Sequence, residues 1–295
     1  MGDSQSVTLS LADLGQQIDE AIEGHLDEVS MELLMAGSSH QGARPKLMVD
    51  LDSTGASARV SQGKTVPGWD AWLIKFAGVD ETRDAPNLEQ MYMDLARMAS
   101  IEVEDTKLMM VGKRIGFATR RYDRPPGSRV LCHTLGGLTH QSHRDAIDFD
   151  YAMVAQVMRR LAMHADHLAQ GYRRAVFNAV MGVRDDHVKN FAFILDQNGE
   201  WRPTPAYDLT LTGGQNGYHT MTYAGSAAAE PAHTDLLRLA EAYGLEVTSA
   251  TQIIEEVQDA VAGWEPIAKA CEVSASSVKA VRDQFKRSHA AMKGS

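Results

Sequence analysis

The chain is poor in cysteine, in positive charge and in long apolar runs, and each shortage excludes a class of protein. Of its 295 residues only Cys132 and Cys271 are cysteines, and without Cys-x-x-Cys spacing they indicate neither a disulfide framework nor a zinc site. The apolar runs are far shorter than a membrane span and the first residues lack signal-peptide character, so we expect a cytoplasmic protein without a membrane partner. A formal net charge of -10 argues against direct wrapping of nucleic acid, which requires a basic face.

What the chain does have is an ordered set of polar residues suited to phosphoryl transfer. Asp185 is followed five residues later by Asn190 and, farther along, by Asp208. A protein kinase needs, in this order, a carboxylate that orients the acceptor hydroxyl and two oxygen ligands for Mg²⁺. A hairpin predicted over 191–204 would fold Asp208 back beside Asn190. Taken alone, Asp185–His187 also fits an ordinary polar turn.

Apolar periodicity divides the chain into three stretches. Residues 8–36 repeat apolar side chains near the helical period, so we predict an N-terminal helical segment over 1–36. A β-rich lobe is predicted over 37–125 and a helical lobe over 126–295, which together make an α+β fold. The predicted strands are 46–49, 58–60, 72–76, 107–111, 115–122, 191–195 and 201–204, and the predicted helices are 88–99, 151–169, 171–182, 233–243, 248–262 and 274–292.

Two lysines in the β-rich lobe are candidate phosphate ligands. The glycine-rich stretch 37–46 ends on Lys46 just where a strand begins, so its amides and this lysine are suited to phosphate oxygens, although a plain glycine-rich turn fits equally well. Lys75 lies inside an apolar strand, where a buried ammonium needs compensation. A phosphate, Glu89 on a helix capped by Asn87, or both would supply it, and a solvent-facing lysine is the alternative.

Together these segments resemble the HipA-like serine/threonine kinases, the toxin components of bacterial toxin–antitoxin pairs. The resemblance implies a bilobal, protein-kinase-like fold with ATP between a small β-rich lobe and a larger helical lobe. It also implies a serine of a translation-related protein as substrate, and a helix-turn-helix antitoxin of HipB type through which alone DNA is contacted. The motifs that carry it are Gly-Ser-Ser-His-Gln-Gly-Ala-Arg-Pro-Lys at 37–46, Ile-Lys-Phe at 74–76, Arg-Tyr-Asp-Arg at 121–124, Asp-Asp-His-Val-Lys-Asn at 185–190 and Pro-Ala-Tyr-Asp-Leu at 205–209.

The resemblance also implies roles for residues on the nucleotide side. Lys46 and Lys75 match ligands of the nucleotide phosphates, and Glu89 matches the carboxylate that orients such a lysine. Tyr122 and Asp123 match the hinge that holds adenine and ribose.

For the transfer step, Asp185 matches the catalytic carboxylate, and Asn190 and Asp208 match the ligands of Mg²⁺. His187 is expected in the nucleotide site as a side chain that braces the loop. Ser39 matches an autophosphorylated serine, with Ser38 as the alternative acceptor.

The chain departs from the family pattern in two places. Only about 36 residues precede the glycine-rich segment, where family members usually carry an additional subdomain of strands and helices. Val183-Arg184 replaces an Asn-Thr pair, which removes a polar side chain able to brace the catalytic loop. Two further functions stay open: another ATP-dependent transferase, such as a lipid-type kinase or an adenylyl-transferring enzyme, and a catalytically silent nucleotide-binding partner of a DNA-bound antitoxin.

Overall fold

The computed structural model describes residues 8–10, 45–55, 57–60, 66–78, 81–141, 149–214 and 216–293. The chain divides into two compact units, one made of Met1–Gln90 and Glu104–Val130, the other of Met91–Val103 and Leu131–Ser295. The described strands are β1 (Thr8–Ser10), β2 (Lys46–Asp52), β3 (Ser57–Val60), β4 (Trp69–Lys75), β5 (Thr106–Val111), β6 (Arg114–Arg120), β7 (Leu131–Thr134), β8 (Phe149–Asp150), β9 (Ala192–Leu195), β10 (Trp201–Pro203) and β11 (Met221–Thr222). The described helices are α1 (Ala85–Met98), α2 (Leu135–Thr139), α3 (Tyr151–Arg160), α4 (Ala165–Met181), α5 (His233–Tyr243), α6 (Val247–Ala262), α7 (Trp264–Ala270) and α8 (Ala275–Lys293).

The first unit is built on an antiparallel sheet with the strand order β1-β3-β2-β4-β6-β5. Alternation along β2 sends Leu47, Val49 and Leu51 to one buried face, as a half-buried strand requires. They pack with Ile74 of β4, and Gly112 makes the turn between β5 and β6 in a left-handed conformation (φ 60°). The strands predicted over this stretch are therefore present, with bounds shifted by up to three residues at their ends.

Two predictions in the first unit are wrong. The predicted helix 8–36 is a strand at its start, because Thr8–Ser10 pairs antiparallel with Ser57–Arg59, and the apolar alternation at positions 7, 9 and 11 suits a strand better. The rest of that prediction, 11–36, lies outside the described residues. Asn87 is not an N-cap but lies inside α1, which begins at Ala85, because Pro86 is accommodated in the first turn of a helix, where its missing N–H costs nothing.

The second unit is mainly helical. Helix α4 runs through Gly171, where a helix boundary was predicted; the break falls instead between Arg160 and Ala165. A β-carbon at Gly171 would lie 3.0 Å from Met158 Sδ, so this glycine serves the close packing of α3 on α4 and not the end of a helix. The predicted helices near the C-terminus are present within one residue as α5, α6 and α8, whereas α7 and the strand β7 were not predicted.

The predicted hairpin after the catalytic motif is present. Strand β9 pairs antiparallel with β10, and the turn at Asp196–Gly199 joins them through a left-handed Gly199. Strand β7 completes this sheet on the other side of β9. Along the part of the chain that the structure describes, no helix combines the length and apolar character needed to cross a bilayer.

Candidate active site

In the first unit, Lys75 and Glu89 form a buried ion pair. Lys75 is the last residue of β4 and Glu89 lies on α1, and the distance from Lys75 Nζ to Glu89 Oε1 is 2.6 Å. Their side chains are 9% and 1% exposed, so water screens the pair little. Nζ also lies 5.7 Å from the centroid of the Phe117 ring, a favourable position for a cation. The carboxylate fixes the ammonium at the end of the strand, which is the arrangement that a phosphate-binding lysine requires.

The second candidate phosphate ligand lies on the neighbouring strand. Lys46 opens β2 and is the direct cross-strand partner of Lys75 in the antiparallel register of β2 and β4. Directly opposed residues share one face of a sheet with their β-carbons about 4.5–5.5 Å apart. The register therefore brings two basic residues to one face at the end of the same strand pair.

The predicted hinge residues follow β6. The Asp123 carboxylate accepts hydrogen bonds from Arg121 at 3.0 and 2.8 Å and from Arg124 at 2.6 Å, while Tyr122 between them is half-buried. The two guanidinium groups thus fix the conformation of this turn. Any contact of Asp123 with a ribose would use the lone pairs that they leave. Ser38 and Ser39 lie outside the described residues.

In the second unit, the predicted catalytic loop starts immediately after α4, where Gly182 ends the helix in a left-handed conformation (φ 68°). The Asp185 side chain is 62% exposed, with His187 Nε2 3.7 Å from its Oδ1. Asn190 closes the loop, because its Nδ2 donates to Asp185 O at 2.6 Å and its backbone N–H donates to His187 O at 2.8 Å. Since the amide nitrogen is engaged inside the loop, Oδ1 is the end of Asn190 that can coordinate a cation.

Arg174 connects this loop to the segment that carries Asp208. Its guanidinium donates to the backbone carbonyl of Asn190 at 2.6 Å and to that of Tyr207 at 3.2 Å. It also lies over the Phe191 ring, 4.2 Å from the centroid. The two predicted metal ligands are Asn190 and Asp208. The Arg174 guanidinium therefore holds the main chain at the first of them and at the residue before the second.

Asp208 adopts a left-handed backbone conformation with φ 56°. This region is uncommon for residues other than glycine, although aspartate tolerates it better than most. The half-buried residue follows Tyr207, whose hydroxyl donates to Lys189 O at 2.7 Å. Tyr207 and Arg174 thus tie the residue before Asp208 to the predicted catalytic loop.

Asp186, the neighbour of the predicted catalytic carboxylate, points into the second unit and is not exposed beside Asp185. Its side chain is completely buried and accepts hydrogen bonds from Tyr151 Oη at 2.8 Å and from Thr220 N at 2.7 Å, while His219 Nδ1 lies 2.8 Å from its Oδ2. Burial, and after it the charge of Asp186, raises the pKa of Tyr151 well above its usual value, so that this phenol stays protonated and donates. Tyr223 is shifted in the same direction for the same reasons.

The sequence prediction missed the supporting residues Arg174, Asp186 and His219. A signal was present for Arg174, which directly precedes the apolar stretch 175–177 of α4 and is 7% exposed. A buried arginine requires acceptors and therefore marks a site. No such signal exists for His219, because its contact with Asp186 joins positions 33 residues apart.

Comparison with known structures identifies the fold as the mixed α+β, kinase-like fold of HipA. The chain superposes along its whole length on 73% of the HipA chain in a complex of HipA, HipB and operator DNA from Shewanella oneidensis MR-1, with a TM-score of 0.74 and 15% identity. Residues 38–264 match the family described as HipA-like C-terminal domain, and the chain belongs to this family. The predicted fold class and family are thereby confirmed.

A curated relative is similar over a shorter stretch. "Putative kinase Y4dM" of Sinorhizobium fredii is 27% identical over 169 residues, which are 51% of this chain and 40% of the relative. The match thus spans less than half of that protein's length. The family and the fold therefore define a HipA-type, kinase-like protein, and the reaction and partners of this chain are the subject of the proposals below.

Proposed function

We propose that this protein is an ATP-dependent serine/threonine protein kinase of HipA type, which transfers the γ-phosphate of ATP to a serine of a target protein. The observation that carries the proposal is the tie between Asn190 and the Asp208 turn through Arg174, beside Asp185. Phosphoryl transfer depends on positioning and electrostatic stabilisation more than on covalent chemistry by the protein. Two segments that carry oxygen donors, tied to each other and joined to the residue with an exposed carboxylate, support that proposal.

In this proposal each side chain has one task. Asp185 accepts or orients the proton of the acceptor hydroxyl, and the exposure of its carboxylate leaves room for a protein substrate. The oxygen donors of Asn190 and Asp208 suit Mg²⁺, which prefers carboxylate and carbonyl oxygens and, when bound, neutralises charge on the phosphates. Lys46 and Lys75 bind phosphate oxygens, with Glu89 holding Lys75 in place. Tyr122 and Asp123 contact the nucleoside.

The alternatives are separated by which label of ATP is transferred and by the kind of product that receives it. A kinase transfers label from γ-labelled ATP to protein, whereas an adenylyl-transferring enzyme transfers label from α-labelled ATP, and a lipid-type kinase labels an organic-soluble product. A silent nucleotide-binding protein transfers neither label. The ordered Asp185, Asn190 and Asp208 favour the kinase over the silent protein, because each of the three tasks has its residue.

The decisive experiment compares Asp185→Asn with the wild-type chain in ATP binding and in transfer. At a ligand concentration about 100 times the dissociation constant, binding stabilises the fold by about 2.7 kcal/mol, so a Mg²⁺-dependent thermal shift is expected for both proteins. Transfer from γ-labelled ATP into host-cell extract is expected only for the wild type. Asp283→Asn, which removes a half-exposed helix carboxylate, is the matched control and should keep both properties. Normal transfer by Asp185→Asn, or no shift with ATP and Mg²⁺, would contradict the proposal.

We further propose that the chain phosphorylates itself at Ser39, with Ser38 as the alternative, as the family resemblance implies. Phosphate adds about -1.5 to -2 charges close in sequence to Lys46, where it would compete with nucleotide phosphates for the lysines. Nucleotide affinity should then fall. Intact-mass measurement after incubation with ATP and Mg²⁺ should show one phosphate that is absent in Ser39→Ala and in Asp185→Asn. A phosphorylated form that binds ATP as tightly as the unmodified chain would rule out this switch.

A protein partner is proposed on the same family grounds. The comparable Shewanella protein was solved with HipB and operator DNA. The net charge of -10 makes it unfavourable for this chain to bind DNA alone, so a basic helix-turn-helix antitoxin would carry the DNA contact. Affinity purification of the tagged chain from its host should recover a small basic DNA-binding protein. Purification of the chain alone, without such a protein, would contradict this part of the proposal.

A further inference from the structure

The peptide that leads into Asp185 is held by a hydroxyl from outside the catalytic loop. Thr212 Oγ1 accepts hydrogen bonds from two successive backbone N–H groups, that of Arg184 at 3.0 Å and that of Asp185 at 2.9 Å. A threonine hydroxyl oxygen has two lone pairs and can accept both bonds at once. Since these N–H groups belong to adjacent residues, the two bonds fix the orientation of the peptide plane that carries Asp185.

A second threonine holds the preceding carbonyl. Arg184 O accepts from Thr220 Oγ1 at 2.9 Å and from Thr220 N at 3.1 Å. Both peptide groups of Arg184 therefore have partners on the stretch that follows the Asp208 turn. A strand or helix would satisfy these groups through its own backbone, but this irregular segment depends on side-chain partners.

The residues just before Asp185 do not provide this support themselves. Val183 is apolar and 2% exposed. The Arg184 side chain points to other partners, because its guanidinium donates to Glu230 Oε1 at 2.7 Å and to Ala229 O at 3.3 Å. Among the described contacts, the acceptor for the Asp185 N–H is therefore supplied by Thr212.

We propose that Thr212 is a positioning residue for Asp185, a role that rests on the proposed kinase function. It touches neither phosphate nor acceptor but fixes the backbone from which the catalytic carboxylate projects. Displacing a reacting group by about 1 Å can cost about 10²-fold in rate. Because Lys75, Asn190 and Asp208 do not depend on these two hydrogen bonds, loss of the hydroxyl should lower kcat and leave ATP binding intact.

The test compares Thr212→Val, which keeps the shape and removes the acceptor, with Thr212→Ser, which keeps the acceptor. Thr210→Val is the control, since Thr210 lies two residues away and its buried hydroxyl has no partner among the described residues. The first readout is hydrogen exchange at the amides of Arg184 and Asp185, which does not require activity. Thr212→Val should accelerate exchange there about tenfold, whereas Thr212→Ser and Thr210→Val should match the wild type.

The second readout compares the effect of each substitution on kcat with its effect on the ATP dissociation constant. Thr212→Val should lower kcat about 10²-fold at unchanged ATP affinity, and Thr212→Ser should restore kcat. Unchanged exchange, a kcat within twofold of the wild type, or a parallel loss of ATP affinity would each overturn the role of Thr212. If Thr212→Val does not fold, Thr212→Cys takes its place, because a thiol is a weak acceptor of similar size. If the wild type transfers no phosphate, the proposed function fails, whereas the hydrogen bonds of Thr212 are still judged by exchange alone.

Discussion

Lys46 and Lys75 lie directly opposite each other on the antiparallel strands β2 and β4, so that two ammonium groups occupy one face at the end of this strand pair. Like charges in direct cross-strand positions disfavour each other by roughly 0.2–1 kcal/mol. Glu89 lies against Lys75 and neutralises one of the two charges. The register therefore places the two lysines that were predicted to bind phosphate oxygens at the same end of this strand pair.

Replacing Lys46 tests whether this lysine contributes to ATP binding independently of any contribution to stability. Lys46→Met is expected to change the free energy of unfolding by less than about 1 kcal/mol, because it removes a charge from a half-buried strand end. The same change should weaken ATP binding measurably in a calorimetric titration. Lys107→Met, which removes a lysine from the edge strand β5, is the control and should bind ATP normally. Equal ATP affinity of all three proteins would show that Lys46 is not a phosphate ligand.

The buried ion pair makes a prediction about stability. Glu89→Gln leaves the Lys75 ammonium buried without its carboxylate, at an expected cost of about 3–5 kcal/mol in chemical denaturation. The double variant Lys75→Met/Glu89→Leu should regain most of that stability, because neither charge is left unpaired. It should nevertheless be inactive in transfer. A double variant no more stable than Glu89→Gln would mean that packing, and not charge, dominates the loss.

Arg174→Lys tests the tie between the two predicted metal ligands. A lysine cannot reproduce the planar guanidinium that reaches both carbonyls, so we expect a loss of about 1.5–3 kcal/mol in the free energy of unfolding. The Mg²⁺-dependent part of ATP binding should also weaken. Its neighbour Arg173 bonds to Ala99 O and to the half-exposed Glu256, so Arg173→Lys should cost under about 1 kcal/mol. Similar losses for the two substitutions would refute a special role of Arg174.

Gly182→Ala tests the turn at which α4 ends and the predicted catalytic loop begins. Alanine in the left-handed conformation costs about 1–2 kcal/mol, and its β-carbon would in addition lie 2.6 Å from Cδ of the buried Gln284. Overpacking of this kind adds about 1–3 kcal/mol. Gly199→Ala shares the left-handed backbone but has open space around it, so it should show the conformational cost alone. The difference between the two unfolding free energies measures the contact with Gln284.

Buried tyrosines predict the response to alkali. Burial raises the pKa of five of them above the usual value, namely Tyr92, Tyr151, Tyr172, Tyr223 and Tyr243. The unfolded chain, in which tyrosines ionise near pH 10, then holds fewer protons than the folded one, so stability falls as the pH rises above about 10. The tyrosinate absorbance contributed by these five phenols should therefore rise in one step together with the loss of helical circular dichroism. If these phenols ionise gradually while the protein keeps its helices, the five tyrosines are not buried as described.

Sequence reasoning reached those parts of the molecule that local patterns determine. The hairpin β9–β10 follows from two short apolar runs around a turn with glycine, and α5 begins and ends where periodicity predicted. Glu89 was also one of the predicted partners of Lys75, because a charge inside an apolar strand needs a partner, and the structure shows this ion pair. In each case the signal lies within about 15 residues of sequence.

The wrong and missing predictions concern residues whose place depends on contacts with parts of the chain that are distant in sequence. Gly171 looked like a helix end, yet contacts with Met158 and Tyr243 from other helices decide its place inside α4. Strand β1 pairs with β3, whose residues lie about 50 positions farther along the chain, and the short alternation at positions 7, 9 and 11 does not identify that partner. Thr212 and His219 act through partners about 30 positions away, and a single sequence contains no measure of such proximity.

The identity of the residue at position 174 also decides what a pH profile of this protein can reveal. Arginine keeps its charge at every pH at which proteins stay folded, so the tie between Asn190 and the Asp208 turn does not titrate. A histidine or a lysine in the same place would make assembly of the two ligand segments follow the acidity of the solution. With arginine at position 174, a loss of phosphoryl transfer in acid or alkali must originate in other groups. The pH profile then does not measure whether the hydrogen bonds between Arg174 and the two ligand segments are intact.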